Sequence, residues 1–356
     1  MTARLEALAR RLPEDVAALV AAPQHLCYLT GFPSGESWIF LTAEAAYFLT
    51  DFRYIELARQ TVSGAECRRI TRLADELNTL IGKHGVRTVL VESNHTSVAE
   101  LRQLREQLRP VTVSDGSELD RWLAELRAVK TPGEIEKIRQ AQALTEAGFE
   151  HILPYIREGA TEREVALELE WYIRRQGAQR AAFDFIVVSG ANGSLPHGIP
   201  SDKPIQRGEF ITMDFGAVVD GYHSDMTRTV ALGAVSDEQR AVYETVLRAQ
   251  TAALAVLRDG LSCVEGDAAA RRLIEQAGYG AYFGHSTGHG VGVEIHEEPR
   301  LSPNAGTAVL RAGQVVTVEP GIYLPGRFGV RIEDMAVITA DGCEDLTSAP
   351  KELICL

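Results

Sequence analysis

Gly208-Glu-Phe-Ile-Thr-Met-Asp-Phe-Gly216 and Gly313-Gln-Val-Val-Thr-Val-Glu-Pro-Gly321 are two versions of one pattern, set 105 residues apart (208 to 313). In each, an apolar strand segment follows a glycine and runs into one carboxylate, Asp214 in the first and Glu319 in the second. A further acid follows each copy, Asp225 in Ser-Asp-Met-Thr-Arg-Thr and Glu333 in Val-Arg-Ile-Glu-Asp-Met. Side chains at i and i+2 of a strand share a face, so Thr212 points with Asp214 and Thr317 with Glu319. By the same count His223, Asp225 and Thr227 share a face, as do Arg331 and Glu333. Thr227 is then expected to orient the Asp225 carboxylate by a hydrogen bond. Gly216 and Gly321 follow at the same parity, where a missing side chain lets a neighbour or ligand approach the backbone.

The repetition extends to the helices. Arg157-Glu-Gly-Ala-Thr161-Glu-Arg-Glu164 matches Arg258-Asp-Gly-Leu-Ser262-Cys-Val-Glu265, 101 residues on (157 to 258). Both are glycine turns followed by a Ser/Thr-x-x-Glu capping box. Ile173 matches Ile274, and Gly177 and Gly278 stand where each helix should stop. Helix and strand recurring in the same order imply two α+β halves about a pseudo-twofold axis. A solenoid would need three or more units. Chance recurrence of caps and glycine stops is the bland alternative, but chance does not keep the order.

Upstream, Thr131-Pro-Gly-Glu134 is a capping box with proline at the first helical position, and it opens a helix towards Ile156. Before it, short apolar runs (15–21 and 86–92) alternate with helical patterns (73–81 and 98–108), the latter with Leu101, Leu104 and Leu108 on one stripe. Such alternation predicts an α/β domain. The boundary falls between about residues 115 and 132, giving domains 1–125 and 126–356.

Bulk properties narrow the function. A net charge of -13 over 356 residues argues against a nucleic-acid binder. The hydrophobic fraction of 45% is ordinary for a globular chain, and no apolar run approaches the ~18 residues of a membrane span. Cys27, Cys67, Cys263, Cys343 and Cys355 are scattered, which suits a reducing compartment and offers no thiolate metal site. The first residues lack the plan of a signal peptide. The expectation is a cytoplasmic protein without nucleic-acid or membrane partners.

A lone acid is most often a solvated surface charge. Asp214 and Glu319 instead end apolar strands, where an unpaired carboxylate costs several kcal/mol. Four acids that converge repel one another and call for cations. His289, in Gly-His-Gly-Val-Gly, is expected on an exposed loop that presents its ring, while His285 is the weaker candidate and is set aside. Four carboxylates and one imidazole suit Mn²⁺, Co²⁺, Fe²⁺ or Zn²⁺ better than Cu⁺, with Mn²⁺ the first choice. Four negative charges nearly balance two divalent ions, and such a pair generates hydroxide at neutral pH and polarises a carbonyl.

Together, Met-Asp214-Phe-Gly, Ser-Asp225-Met-Thr-Arg-Thr, Gly-His289-Gly-Val-Gly, Val-Glu319-Pro-Gly and Arg-Ile-Glu333-Asp resemble, in order, the metal motifs of the pita-bread metallopeptidases: prolidases, aminopeptidases P and methionine aminopeptidases. Tyr28-Leu-Thr-Gly-Phe32 and Thr50-Asp-Phe-Arg-Tyr54 resemble the creatinase-type amino-terminal domain, which methionine aminopeptidases usually lack. The resemblance implies an α+β pita-bread catalytic domain behind a smaller α/β domain. It implies that Asp225 and Glu333 bridge two metals, that Asp214 holds one, and that His289 and Glu319 hold the other. Glu319 would also handle the proton of the attacking water, a metal-bridged hydroxide. His197, in Pro-His-Gly, matches the substrate histidine, and His296, in Ile-His-Glu-Glu-Pro, the one that steadies the tetrahedral intermediate. Arg331 matches an arginine near the substrate, although a salt bridge to a neighbouring acid would serve an Arg fork equally well. The implied activity is an Xaa-Pro dipeptidase, with aminopeptidase P on longer peptides as the rival. A metal-free creatinase-like hydrolase or a scaffold would have lost ligands, and none is missing. A homodimer is implied as well.

Overall fold

The computed structural model describes residues 1–32, 36–108 and 110–356. Two compact units divide the chain, Met1–Arg127 and Ala128–Leu356. In the first, a six-stranded mixed sheet is flanked by helices. Its centre is the Val16–Val20 strand, antiparallel to Ser37–Leu41 and parallel to Thr88–Val91. The expected helices are present as Leu73–His84 and Val98–Gln107. Leu77, Leu80, Val89 and Phe40 form the dry interior of this unit. The unit is α/β, as its alternating pattern predicts.

The second unit is built twice. In its first half the Phe210–Phe215 strand lies between Ile186–Ser189 and Met226–Ala231, antiparallel to both. In its second half Val315–Val318 lies between Gly288–Gly290 and Asp334–Ile338, again antiparallel to both. Asp214 sits on the middle strand of one trio, and Glu319 directly follows the middle strand of the other. Asp225 immediately precedes Met226–Ala231, and Glu333 immediately precedes Asp334–Ile338. The acids therefore occupy equivalent places in both halves.

Each half has a helix pair, Pro132–Ile152 with Glu162–Arg175 and Asp237–Val256 with Cys263–Gln276. Burial of their apolar faces makes two interiors. Phe149, Leu169, Met213 and Phe215 belong to one, and Val246, Ile274, Val316 and Val318 to the other. Thr131 and Thr161 form full capping boxes. The first helix ends at Ile152 and continues only as a 3₁₀ turn to Tyr155, short of the expected Ile156. Gly177 and Gly278 follow the helix ends in left-handed conformation, at φ 114° and 86°.

Two local expectations fail. Ser262 makes no side-chain cap, so only one copy of the repeated box forms. The segment 223–227 is not one strand. It breaks after His223, where the Ser224 amide donates to the Ala217 carbonyl and the Ala217 amide donates to the Ser224 hydroxyl. His223 then turns away, and its ring nitrogen Nδ1 lies 3.1 Å from the Gly292 carbonyl. Gly216 is needed here because a Cβ would collide with the Ser224 carbonyl. The five cysteines are free, and no helix among the described residues is long and apolar enough to cross a membrane.

Candidate metal and active site

Asp214, Asp225, His289, Glu319 and Glu333 line one cavity of about 600 Å³, together with His197, His296 and Arg331. Single ligand atoms of Asp225, His289 and Glu333 lie within 4.8 Å of one another. The Nε2 of His289 is 3.5 Å from Asp225 Oδ2 and 3.4 Å from Glu319 Oε1. The second interior acid of each half, Asp225 or Glu333, is almost wholly buried.

These contacts are not ion pairs. Burial holds the His289 imidazole neutral, with its pKa pushed down to about 3. Its Nδ1 faces the Gly290 carbonyl at 3.0 Å, which assigns the proton to that nitrogen. The bare Nε2 lone pair then points at two carboxylates, an arrangement that repels unless a proton or a cation lies between them. Asp214 Oδ1 is buried with no hydrogen-bond partner. Burial, and then the Glu333 charge, hold the Asp225 carboxyl well above its usual range. Burial and Glu319 do the same to Glu333, and burial pushes Glu319 up to about 8. An orphaned oxygen, an inward lone pair and repelling acids together fit divalent cations.

This sets the behaviour of metal-free protein. Glu319 titrates near 4.5 when unfolded and near 8 when folded. Its stability contribution is complete below 4.5 and is lost as pH rises to about 8, because the unfolded chain sheds the proton first. With chelator present, Tm should fall across that window, and a saturating divalent ion should flatten the slope. A Tm that rises with pH in chelator would contradict the reading of repelling acids.

Neighbouring groups fix the acids in place. Thr227 Oγ1 donates to Glu333 Oε2 at 2.7 Å, not to Asp225 as its position in the sequence suggested. The reason is register: Thr227 lies beside Asp214 on the adjacent strand, while Asp225 falls in the strand break. Arg331 pairs with Asp214 at 2.6 Å, and its Nε donates to Thr227 at 3.0 Å. Its Nη1 donates to Tyr323 at 2.9 Å and to the Pro196 carbonyl at 3.2 Å. Tyr323 in turn contacts His285 Nε2 at 2.9 Å. His285 therefore lines the cavity through a buried chain ending on Asp214, which its sequence context did not reveal. Arg228, fully buried, donates to the Thr227 and Glu333 carbonyls and pairs with Asp334, pinning the two acid-bearing segments together.

His289 lies on the buried Gly288–Gly290 strand, not on an exposed loop. Its glycine neighbours are there because a Cβ on either would strike the Thr317 or Glu298 carbonyl. His296 is exposed and meets the His289 ring edge-on, with centroids 4.4 Å apart. His197 is exposed on a loop that lines the cavity. Sequence reasoning also left unnamed the cation at this site. Arg300 pairs in register with His289 across two strands and lines the cavity, with a 3.9 Å contact to Glu298 as its ion pair among the described residues.

Comparison with known proteins agrees with this geometry. Residues 136–340 match the model of metallopeptidase family M24, and residues 4–129 match the Creatinase/Prolidase N-terminal domain. The chain is 36% identical over 363 residues to an Xaa-Pro dipeptidase of Pyrococcus furiosus, covering 99% of this chain and all of the relative (100%). An Xaa-Pro dipeptidase structure from Bacillus anthracis superposes with TM-score 0.94 at 40% identity, over 99% of each chain. An X-Pro aminopeptidase from Thermotoga maritima superposes at 0.90 with 37% identity, over 98% of this chain and 99% of that one. With its doubled acid-bearing trio and the unit that precedes it, the chain belongs to metallopeptidase family M24, as a pita-bread enzyme with a creatinase/prolidase-type amino-terminal domain.

Proposed function

We propose that this enzyme is a metal-dependent Xaa-Pro dipeptidase that cleaves the bond before proline. The observation that carries the choice of a dipeptide is Arg300. It is a half-exposed guanidinium at the cavity wall, opposite His289 in the strand register, and its acid contact among the described residues is a long one, 3.9 Å to Glu298. A dipeptide presents a free carboxylate close to its scissile bond, and an Arg fork is suited to receive it. The names of the similar proteins divide between dipeptidase and aminopeptidase, so substrate length is the test. Ala-Pro should be turned over at least about tenfold faster than Ala-Pro-Ala at equal concentration, the ratio an extra charge contact of ~1.4 kcal/mol would give. Faster cleavage of the tripeptide would favour an aminopeptidase P.

In this reading Asp214, Asp225, His289, Glu319 and Glu333 would hold two divalent ions, with Asp225 and Glu333 shared between them. Two bound divalent ions supply an acidified water and polarise the scissile carbonyl. The rest is done by the chain. Glu319, steadied by Thr317, accepts a proton from the attacking water and passes it to the proline nitrogen as the C–N bond breaks. His197 and His296, both lining the cavity, donate to the oxygen that gains charge. Arg331, each of whose three nitrogens donates to a protein acceptor, acts by fixing Asp214 and Thr227 rather than by touching substrate. An Xaa-Pro bond has no amide N–H, so a site built on carbonyl activation suits it.

The same reading includes Mn²⁺ as the first choice among Mn²⁺, Co²⁺, Fe²⁺ and Zn²⁺, supported by the oxygen-rich donor set. Metal analysis of purified protein checks it. Scattered free cysteines support a cytoplasmic setting. The homodimer is carried by the family resemblance, and light scattering measures it.

A further inference from the structure

The loop that carries His197 leaves the Ile186–Ser189 strand and returns at Ser201, and one buried carboxylate ties both ends. Glu162 is fully buried at the first position of the Glu162–Arg175 helix. Its Oε1 accepts from the Ser189 amide at 2.7 Å and the Ser189 hydroxyl at 2.9 Å. Its Oε2 accepts from the Ser201 hydroxyl at 2.6 Å and the Ser201 amide at 3.2 Å. The Asn192 amide group donates to both oxygens at 3.1 Å. These partners are neutral donors, and the first helical turn also favours a negative charge. Burying a carboxylate is costly unless its lone pairs are met. Here they are met by one loop, at its two feet and by Asn192 between them.

Between those feet the loop has little apolar burial of its own. Leu195 is 56% and Ile199 85% exposed. Yet Pro196, His197, Gly198 and Ile199 line the cavity, and the Pro196 carbonyl accepts from Arg331. The loop's place beside the acids therefore depends on polar attachments, of which Glu162 makes the most extensive set.

We propose that Glu162 is a positioning residue that sets the His197 loop against the metal-binding acids. This rests on His197 touching the substrate, as in the reading above. In Glu162→Gln the side chain keeps its shape, but its NH₂ must face the Ser189 or the Ser201 amide, donor against donor. Hydrogen–deuterium exchange should quicken in residues 189–201, whose end amides donate to Glu162, and stay unchanged elsewhere, with metal content unaltered. The kcat/KM for Ala-Pro should fall about tenfold, the lower end of what a displaced contact costs. Added to His197→Ala, the substitution should cost nothing more, because the group it places is gone. A purely structural role would instead multiply the two losses. Should Glu162→Gln fail to fold, Glu162→Asp keeps the charge and shortens the reach, and the same exchange pattern is expected. Unchanged exchange in 189–201 would overturn the proposal at the staple itself. Full turnover by His197→Ala would overturn it from the other side, by removing the residue that Glu162 is said to place.

Discussion

Asp225→Asn and Glu333→Gln should each abolish peptidase activity while leaving the protein folded. Both acids are buried, and each is held above its usual carboxyl range by burial and by the other acids. They are therefore the groups whose charge a bound cation most relieves. An amide keeps the volume and loses that charge. Losing several kcal/mol of transition-state stabilisation, at about 1.4 kcal/mol per decade, is a ~10³-fold drop in kcat/KM. The stability signs run opposite to those of an ordinary buried-residue mutation. In metal-free protein the substitution removes a repelling charge, so Tm in chelator should hold or rise. With Mn²⁺ the wild type should gain stability by binding, and the variants should gain little of it. Glu333→Gln can still accept the hydrogen bond from Thr227, so the segment it lies on should stay in place. Kinetics with added Mn²⁺ and paired melting curves test this. Turnover retained at high Mn²⁺ would refute the bridging roles.

What the chain disclosed by itself was periodic or local. The repeat was legible because its parts are short signals: an acid after an apolar strand, a capped helix start and a glycine stop. Gly177 and Gly278 adopt the left-handed conformation that a stop requires. That Asp214, Asp225, His289, Glu319 and Glu333 belong together was legible because their spacing carries a family pattern as well as a period, and all five line one cavity. The failures share one cause. Period-two counting supposes an unbroken strand, and Ser224 breaks it by bonding back to Ala217, so Thr227 serves Glu333 and not Asp225. Glycines around His289 looked like a loop, but they mark close approach by the Thr317 and Glu298 carbonyls, contacts made by residues distant in sequence or by the adjacent strand. Tyr323 and Arg300 went unnamed, and His285 was set aside, for the same reason. Each gains its role from long-range pairing, as when Arg300 meets His289 across a strand register that shifts at the next residue. No local pattern encodes such a meeting.

Arg300→Gln should remove the preference for a free carboxylate. Arg300 stands beside the imidazoles of His289 and His296 and lowers the basicity of both, behind burial as the larger cause. Its charge thus acts on the cavity and not on solvent alone. The contact to Glu298, at 3.9 Å with both side chains more than half exposed, is too weak to hold it. A dipeptide carboxylate would therefore be its best partner. Truncating a hydrogen-bonded charge pair costs ~2–5 kcal/mol, and solvent at the cavity mouth puts this case at the low end. About 2 kcal/mol corresponds to a ~30-fold rise in KM for Ala-Pro, with kcat changed far less because the contact is made equally before and during bond breaking. Ala-Pro-amide lacks the carboxylate, so wild type should bind it weakly and the variant no worse. The ratio of kcat/KM for Ala-Pro over Ala-Pro-amide should fall towards one in Arg300→Gln, with metal content intact. A variant that loses activity equally on both substrates would show Arg300 tuning the histidines instead. That outcome would leave the dipeptidase reading without its carboxylate anchor.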